Sequence, residues 1–456
     1  MAPFRALVLA ALAALSVPAA ATPVDELLGA VGDRTGKPVP AYLTAWATRD
    51  REWGPQQRVL VQMAAGRSAF LRGDWDHAEA LLADAQREIE TVYANDPKAE
   101  AARSVFVPEA TKPFKGDPYE RAMVGIYLGL IDLSRGDFDN ARAGFRFAQL
   151  QDTMSAAEKY QDDMALAQYL VAWTFWCEGR ATAAAEEFER ARALRPALTA
   201  PVAGERLLML AEVGEAPVKF RTGTYGELQR MRGGTPTPVQ QVAFRTGHGN
   251  PLPATMAEDL LFQAGTRGGA AVDSIRAGKA SFRQGADVVT QAGAGVGIAA
   301  LGAAAFTSGR DSRDLAGVAV VAGLVSLAAK GVASSTESLA DVRYWPNLPE
   351  RFFVRTAPLP AGSPTVEAGY YGFGGQPLQT GGGRVQVAPR RDCALFVGQA
   401  PPALRADPAM ADRWPALPPL QPGPGRVNLD HLIAQEVGDE GESLLDSVRR
   451  TRETAR

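Results

Sequence analysis

The residues best able to do chemistry are few and far apart. Histidine occurs three times, as His77, His248 and His431. None has a Cys, His or acidic neighbour at ligand spacing, so no metal centre is called for, and all three read as solvated surface side chains. Cys177 lies between Trp176 and Glu178 on an apolar helix, and Cys393 opens a strand-like run. They read as two separate packed thiols, with pairing between them left open. Gly295-x-Gly297-x-x-Ala300 fits the loose dinucleotide fingerprint, yet no strand pattern follows it, as a nucleotide fold requires. Gly293 and Gly297 on one helical face suit a close helix pair better, and no cofactor is implied. There is no nucleophile-elbow sequence. The remaining candidates are charged. Arg267, Asp273, Arg276 and Lys279 flank or follow Gly268-Gly269, and Asp341 and Arg343 precede Tyr344-Trp345. These residues can bind a ligand as a polar cluster, or tie helices to loops by charge-assisted bonds.

The elements that would position them begin with an export signal. Met1–Arg5 is basic, Ala6–Val17 is an apolar run too short to span a bilayer, and Pro18 precedes Ala19-Ala20-Ala21. This is the pattern of a secretory signal peptide over residues 1–21, with Thr22 as the first mature residue. No cysteine precedes Cys177, so no thiol is present for lipidation at that junction. The formal net charge of −3 gives no basic surface for nucleic acid.

Residues 22–196 carry a repeated helical pattern. Gly66 and Gly73 recur as Gly129 and Gly136, each pair followed by Asp, an aromatic residue and Ala78 or Ala141. Leu82 and Ala85 then match Phe145 and Ala148. A weaker third unit holds Ala172, Gly179, Ala184, Phe188 and Ala191. Glycine tolerates φ > 0 where one helix stops and the chain reverses, and Asp74 and Asp137 can cap the helix that follows. Small Gly66, Gly129 and Ala172 let the first helix approach the second, where Ala78, Ala141 and Ala184 receive it. Trp75, Phe138, Leu82, Phe145 and Phe188 fill the space between. The turn glycines lie 63 and 43 residues apart, so the array is irregular against a repeat of roughly 34 residues.

Beyond Pro196 the character changes. Residues 197–287 read as a mixed linker region, in which Arg206–Glu212 suits a strand or a short helix and Ala257–Gln284 a helix. Residues 288–335 form a Gly/Ala-rich apolar helical hairpin, long enough to insert in a membrane and small-sided enough to pack within a protein or between copies of the chain. Residues 336–399 alternate like short strands between Gly/Pro turns and read as a small β-rich domain. Residues 400–456 are a Pro-rich linker, unstructured over Ala400–Gly425, and a terminal amphipathic helix. The fold class is therefore mostly α with a smaller β-rich part: a tetratricopeptide-like helical repeat array, the apolar hairpin and a small C-terminal β domain.

Four strings carry a family resemblance: Gly116-Asp117-Pro118-Tyr119-Glu120-Arg121-Ala122-Met123, the second repeat that follows it, Gln263–Lys279, and Asp341-Val342-Arg343-Tyr344-Trp345 with Leu348-Pro349. Leu359-Pro360-Ala361-Gly362 adds a turn before the C-terminal strands. In this order they resemble a family of uncharacterised bacterial envelope proteins with tetratricopeptide-like N-terminal halves, over roughly residues 50 to 400. Many members are lipoproteins, and this chain departs from them in lacking the junction cysteine. The resemblance supplies no catalytic residues.

Together these readings point to a non-catalytic exported scaffold or binding protein of the cell envelope, since repeat arrays present a concave face to a peptide or partner helix. Self-association and membrane insertion through 288–335 both remain open. The rivals are a membrane-inserted assembly component and an envelope hydrolase built around Asp341 and Arg343.

Overall fold

A computed structural model describes residues 23–93, 113–153, 163–222, 228–247, 249–267, 340–360, 365–382, 385–387, 393–400 and 414–420. The signal peptide, the 288–335 hairpin, Gly293–Gly297, Asp273, Arg276, Lys279, His248, His431 and the terminal helix lie outside them. The fold mixes helix and strand. Among the described residues no helix is long and apolar enough to cross a membrane.

Among the described residues eight α-helices come first: α1 (Pro23–Thr35), α2 (Ala41–Trp53), α3 (Arg58–Leu71), α4 (Trp75–Tyr93), α5 (Pro118–Arg135), α6 (Phe138–Asp152), α7 (Ala165–Cys177) and α8 (Ala181–Leu194). The pairs α3/α4, α5/α6 and α7/α8 are antiparallel hairpins built on one plan. At each turn glycine takes positive φ: 72° at Gly73, 79° at Gly136 and 76° at Gly179. The residue after it donates its N–H five residues back, Asp74 to Ala69, Asp137 to Asp132 and Arg180 to Phe175, at 2.9–3.0 Å. The next helix then opens with Ala78, Ala141 and Ala184 donating to the carbonyls of Asp74, Asp137 and Arg180. The five-back bonds are those that satisfy carbonyls at a helix end closed by a left-handed residue, and the second set starts the next helix. The helix pairs cross closely. A Cβ on Gly66 would stand 2.7 Å from Leu82 Cγ, and one on Gly129 would stand 2.8 Å from the Ala141 carbonyl. Gly125 and Gly144 make a second close approach between α5 and α6.

The strands follow: β1 (Glu205–Val213), β2 (Val218–Thr222), β3 (Leu228–Arg232), β4 (Gln241–Thr246), β5 (Leu252–Pro253) and β6 (Thr255–Asp259). After α9 (Leu260–Arg267) come β7 (Arg351–Pro358), β8 (Val366–Tyr371), β9 (Pro377–Gly382), β10 (Val385–Val387) and β11 (Ala394–Gln399). One sheet has the order β10-β11-β1-β7-β6, the second β5-β4-β8-β9, and β2-β3 is a separate hairpin. β1 is central, antiparallel to β7 and parallel to β11. The segments read as a linker and as a separate β-rich domain therefore share both large sheets. Ala257 is in β6, not at the start of a helix.

Strand alternation divides β1 between two cores. Leu208 and Leu210 join the helices, together with Phe352, Val354 and Leu395. Leu207, Met209, Ala211 and Val213 meet Val242, Phe244, Ala368 and Tyr370 of the second sheet. The order of layers is helices, first sheet, second sheet. With α1, α2, the segment around Asn347 and the first sheet covering the hairpins, α3 is buried continuously from Val59 to Phe70 and α7 from Ala165 to Thr174. The face that a repeat array would offer to a peptide on its first helices is filled by the chain itself.

Three sequence expectations need correction. Cys177 and Cys393 are joined by a disulfide, with Cα atoms 5.7 Å apart, because β11 lies against the end of α7. No local pattern signals a contact spanning 216 residues. His77 is buried, its Nδ1 donating to Asp74 Oδ1 at 2.7 Å while Tyr42 donates to the other oxygen at 2.7 Å. Within the Pro-rich tail, residues 414–420 are docked, with Trp414 fully buried.

Candidate functional site

Burying one sheet against helices leaves an interior in which an isolated charge is costly unless it is paired. Among the described residues three glutamates, Glu120, Glu212 and Glu258, are fully buried, and each meets a donor from another part of the fold.

The first network is built on the start of α5. Gly116 takes φ 73°, Asp117 is the N-cap, Pro118 opens the helix and Glu120 closes a capping box. Glu120 Oε2 accepts the Asp117 N–H at 2.7 Å and Lys219 Nζ of β2 at 2.8 Å. Its Oε1 accepts the Trp345 N–H at 2.6 Å. Lys219 also reaches Asp117 at 3.0 Å, and Gln229 of β3 donates to Asp117 at 3.0 Å. Burial opposes the Lys219 charge, but Asp117 and Glu120 outweigh it and hold the ammonium above the ordinary lysine range. Burial raises the Glu120 carboxyl against the pull of Lys219.

The second network joins α3, α5 and β1. Arg67, only 2% exposed, forms an ion pair with Glu212 and donates to the Asn347 carbonyl, and its Nε donates to the Tyr127 hydroxyl at 2.7 Å. Tyr127 in turn donates to Glu212 Oε1 at 2.8 Å. Asn347 closes the circuit by donating to the Ala64 carbonyl and to Ser68 Oγ, while Trp345 Nε1 donates to Asn347 Oδ1 at 2.7 Å. Burial pulls the Arg67 pKa down, and Glu212 and Tyr127 more than offset it. Burial also lifts the Tyr127 hydroxyl far above its ordinary value, so it stays protonated and able to donate.

The third acid, Glu258 of β6, accepts the Leu166 N–H at the start of α7 at 3.2 Å and Gln263 Nε2 of α9 at 2.9 Å. Arg195 stands 3.8 Å away. Burial raises its carboxyl, with Arg195 opposing.

Of the charged residues singled out in the sequence, Asp341 and Arg343 are brought together. Arg343 Nε donates to Asp341 Oδ1 at 2.8 Å and its terminal nitrogen to Oδ2 at 2.6 Å. It also donates to the Gln56 carbonyl at 3.2 Å and lies over the Phe114 ring. The pair fastens the strand-lead segment to the helices. Arg267 is the last residue of α9. Of the small residues named in the helical pattern, Ala78, Ala85, Ala141, Ala148 and Ala184 are all fully buried.

Arg67, Tyr127, Glu212, Asn347, Lys219 and Glu258 were not singled out. Glu212 inside the apolar run Leu207–Val213 was the available signal, because a charge on a buried strand needs a partner. Chemically, the seam spends its donors and acceptors on joining layers, and it fixes the position of every hairpin relative to the sheet.

Comparison with known protein families, with characterised proteins and with solved structures gives no match.

Proposed function

We propose that this chain is a non-catalytic scaffold or binding protein of the bacterial cell envelope, in which an irregular tetratricopeptide-like array holds a protein or peptide partner. The observation that carries this reading is the recurrence of one turn, bond for bond, at Gly73, Gly136 and Gly179. Stacked hairpins of that kind form extended recognition surfaces. The sheet, with α1, α2 and the segment around Asn347, occupies the faces of α3, α5 and α7, so the partner takes the outer face of α4, α6 and α8. Leu150 near the end of α6 is 55% exposed and Leu194 at the end of α8 is 38% exposed, both large apolar residues open to a partner. Export is supported by the Cys177–Cys393 disulfide, since such bonds persist in oxidising compartments. Membership of the envelope family named above is part of the same proposal.

Site-specific photocrosslinking in cells of the native host tests it. A crosslinker at Leu150 or Leu194 is expected to capture the same protein species, and one at exposed Arg232 on the β2-β3 hairpin is not. Equal capture from all three positions, or none from the helices, would contradict the reading.

A further inference from the structure

The outer face of the second sheet, away from the helices, carries a segment with unusual chemistry: Trp414-Pro415-Ala416-Leu417-Pro418-Pro419-Leu420. Its three prolines lack N–H donors, so it cannot join a β-ladder as an ordinary strand. It is held by anchors instead. Trp414 is fully buried against Ala243 and Tyr371, with Leu417 in the same cluster. The Arg245 guanidinium lies 4.3 Å from the indole centroid, a cation–π contact.

The receiving surface is shaped for this backbone and these rings. At Gly369 of β8 a Cβ would stand 2.6 Å from the indole, so only glycine leaves room for it. At Gly375, with φ 78°, a Cβ would overlap the Leu417 carbonyl. The Leu417 N–H donates to the Gly375 carbonyl at 2.9 Å, and the Leu420 N–H to the Phe373 carbonyl at 3.2 Å. Gln241 Nε2 donates to the Pro418 carbonyl at 3.2 Å. An aromatic wall, a cation, two glycine clearances and a few main-chain bonds are what recognition of a proline-rich extended peptide requires.

The fit is incomplete in two respects. Among the described residues, Trp414 Nε1 and the Tyr371 hydroxyl are both buried without a hydrogen-bond partner, and a buried polar atom left unsatisfied is costly. Phe373, beside the end of the segment, remains 50% exposed. The resident segment therefore fills the groove without using all of it.

We propose that this face, formed by Ala243, Arg245, Gly369, Tyr371 and Gly375, is a second recognition site, specific for extended proline-rich peptides with tryptophan and leucine three residues apart. The chain's own residues 414–420 occupy it as a tethered ligand and so gate it against peptides from a partner protein. This site is separate from the helical surface discussed above and stands or falls independently of it.

The test uses the full chain and a fluorescein-labelled synthetic peptide of sequence Trp414–Leu420, read by anisotropy. Trp414→Ala/Leu417→Ala vacates the groove and is expected to bind the peptide about tenfold or more tighter than the unsubstituted chain, where only a small fraction of grooves is open. Adding Tyr371→Ala to that variant is expected to abolish the gain, as is replacing both anchors in the peptide by alanine. Leu417→Ala alone, which keeps the indole in place, is expected to fall between and serves if the double variant does not fold. The proposal is overturned if the vacated, cooperatively folded variant binds no better than the unsubstituted chain, or if the anchorless peptide binds equally well.

Discussion

The Trp345 N–H donates to Glu120 Oε1 at 2.6 Å, joining the start of α5 to a segment 225 residues away. With Lys219 on its other oxygen, Glu120 connects three parts of the chain that share no local sequence. Removing it leaves the buried Lys219 ammonium with Asp117 as its one remaining carboxylate and the Trp345 N–H without its acceptor. Glu120→Ala is expected to cost about 3–5 kcal/mol, as for a broken buried pair. Glu120→Gln keeps an acceptor for Trp345 and is expected to cost about 1–3 kcal/mol. Urea unfolding with an unchanged m-value measures both. Losses below about 0.5 kcal/mol for the two variants, the usual range for surface substitutions, would show that the clasp carries no stability.

Packing makes a contrasting pair of predictions at two glycines. A side chain on Gly129 meets Phe145 and the Ala141 carbonyl, so Gly129→Leu is expected to cost at least the 1–3 kcal/mol or so of an overpacked core. Gly179, unlike Gly129, has positive φ, and nothing lies within 4 Å of its Cβ position. Gly179→Ala is expected to cost only the backbone strain, about 1 kcal/mol. Equal losses in thermal unfolding would mean that the helix crossing is not the tight contact described.

The helical half was legible because its signals are local. Glycine, aspartate, an aromatic residue and alanine follow one another within a few positions, and the structure uses them at Gly73–Ala78 and Gly136–Ala141. The sheet was not legible in the same way. β1 is apolar on both faces because both are covered, so Arg206–Glu212 has no alternation to separate strand from helix, and its partners begin at Arg351 and Ala394. The charged seam was hidden for the same reason: Glu212 in its apolar run signals that a partner is needed, but nothing local names Arg67 as that partner. Asp341 and Arg343 were named as candidates because they stand beside an aromatic pair, whereas Glu120 entered only within the string Gly116–Met123 that carries the family resemblance.

Asp132 on α5 gives a pH dependence. Burial, then the neighbouring Glu79 and Asp137, raise its carboxyl from 3.8 to about 6. The folded state thus holds this proton more tightly than the unfolded chain does. Its contribution favours folding below about pH 4 and is lost as pH rises through about 6. Asp132→Asn is expected to stabilise the protein at pH 7.5 by about 1 kcal/mol after solvent screening, and to leave stability at pH 4 nearly unchanged. Parallel stability-versus-pH curves for the two proteins would refute the assignment.

The Cys177–Cys393 bond fastens the end of α7 to the start of β11. Cys393→Ser is expected to cost about 2–5 kcal/mol, as for loss of a native disulfide. Unfolding of the unsubstituted protein in reductant is expected to match that of the variant. A variant as stable as the oxidised parent would show that the bond adds nothing to the packing around it.

Export is the premise on which the envelope role rests, and one measurement addresses it directly. Protein from the native host is acid-quenched, alkylated under denaturing conditions and weighed intact. The expected species begins at Thr22 and carries no alkyl group, with both cysteines in the disulfide. A species that retains Met1 and bears two alkyl groups would contradict the account.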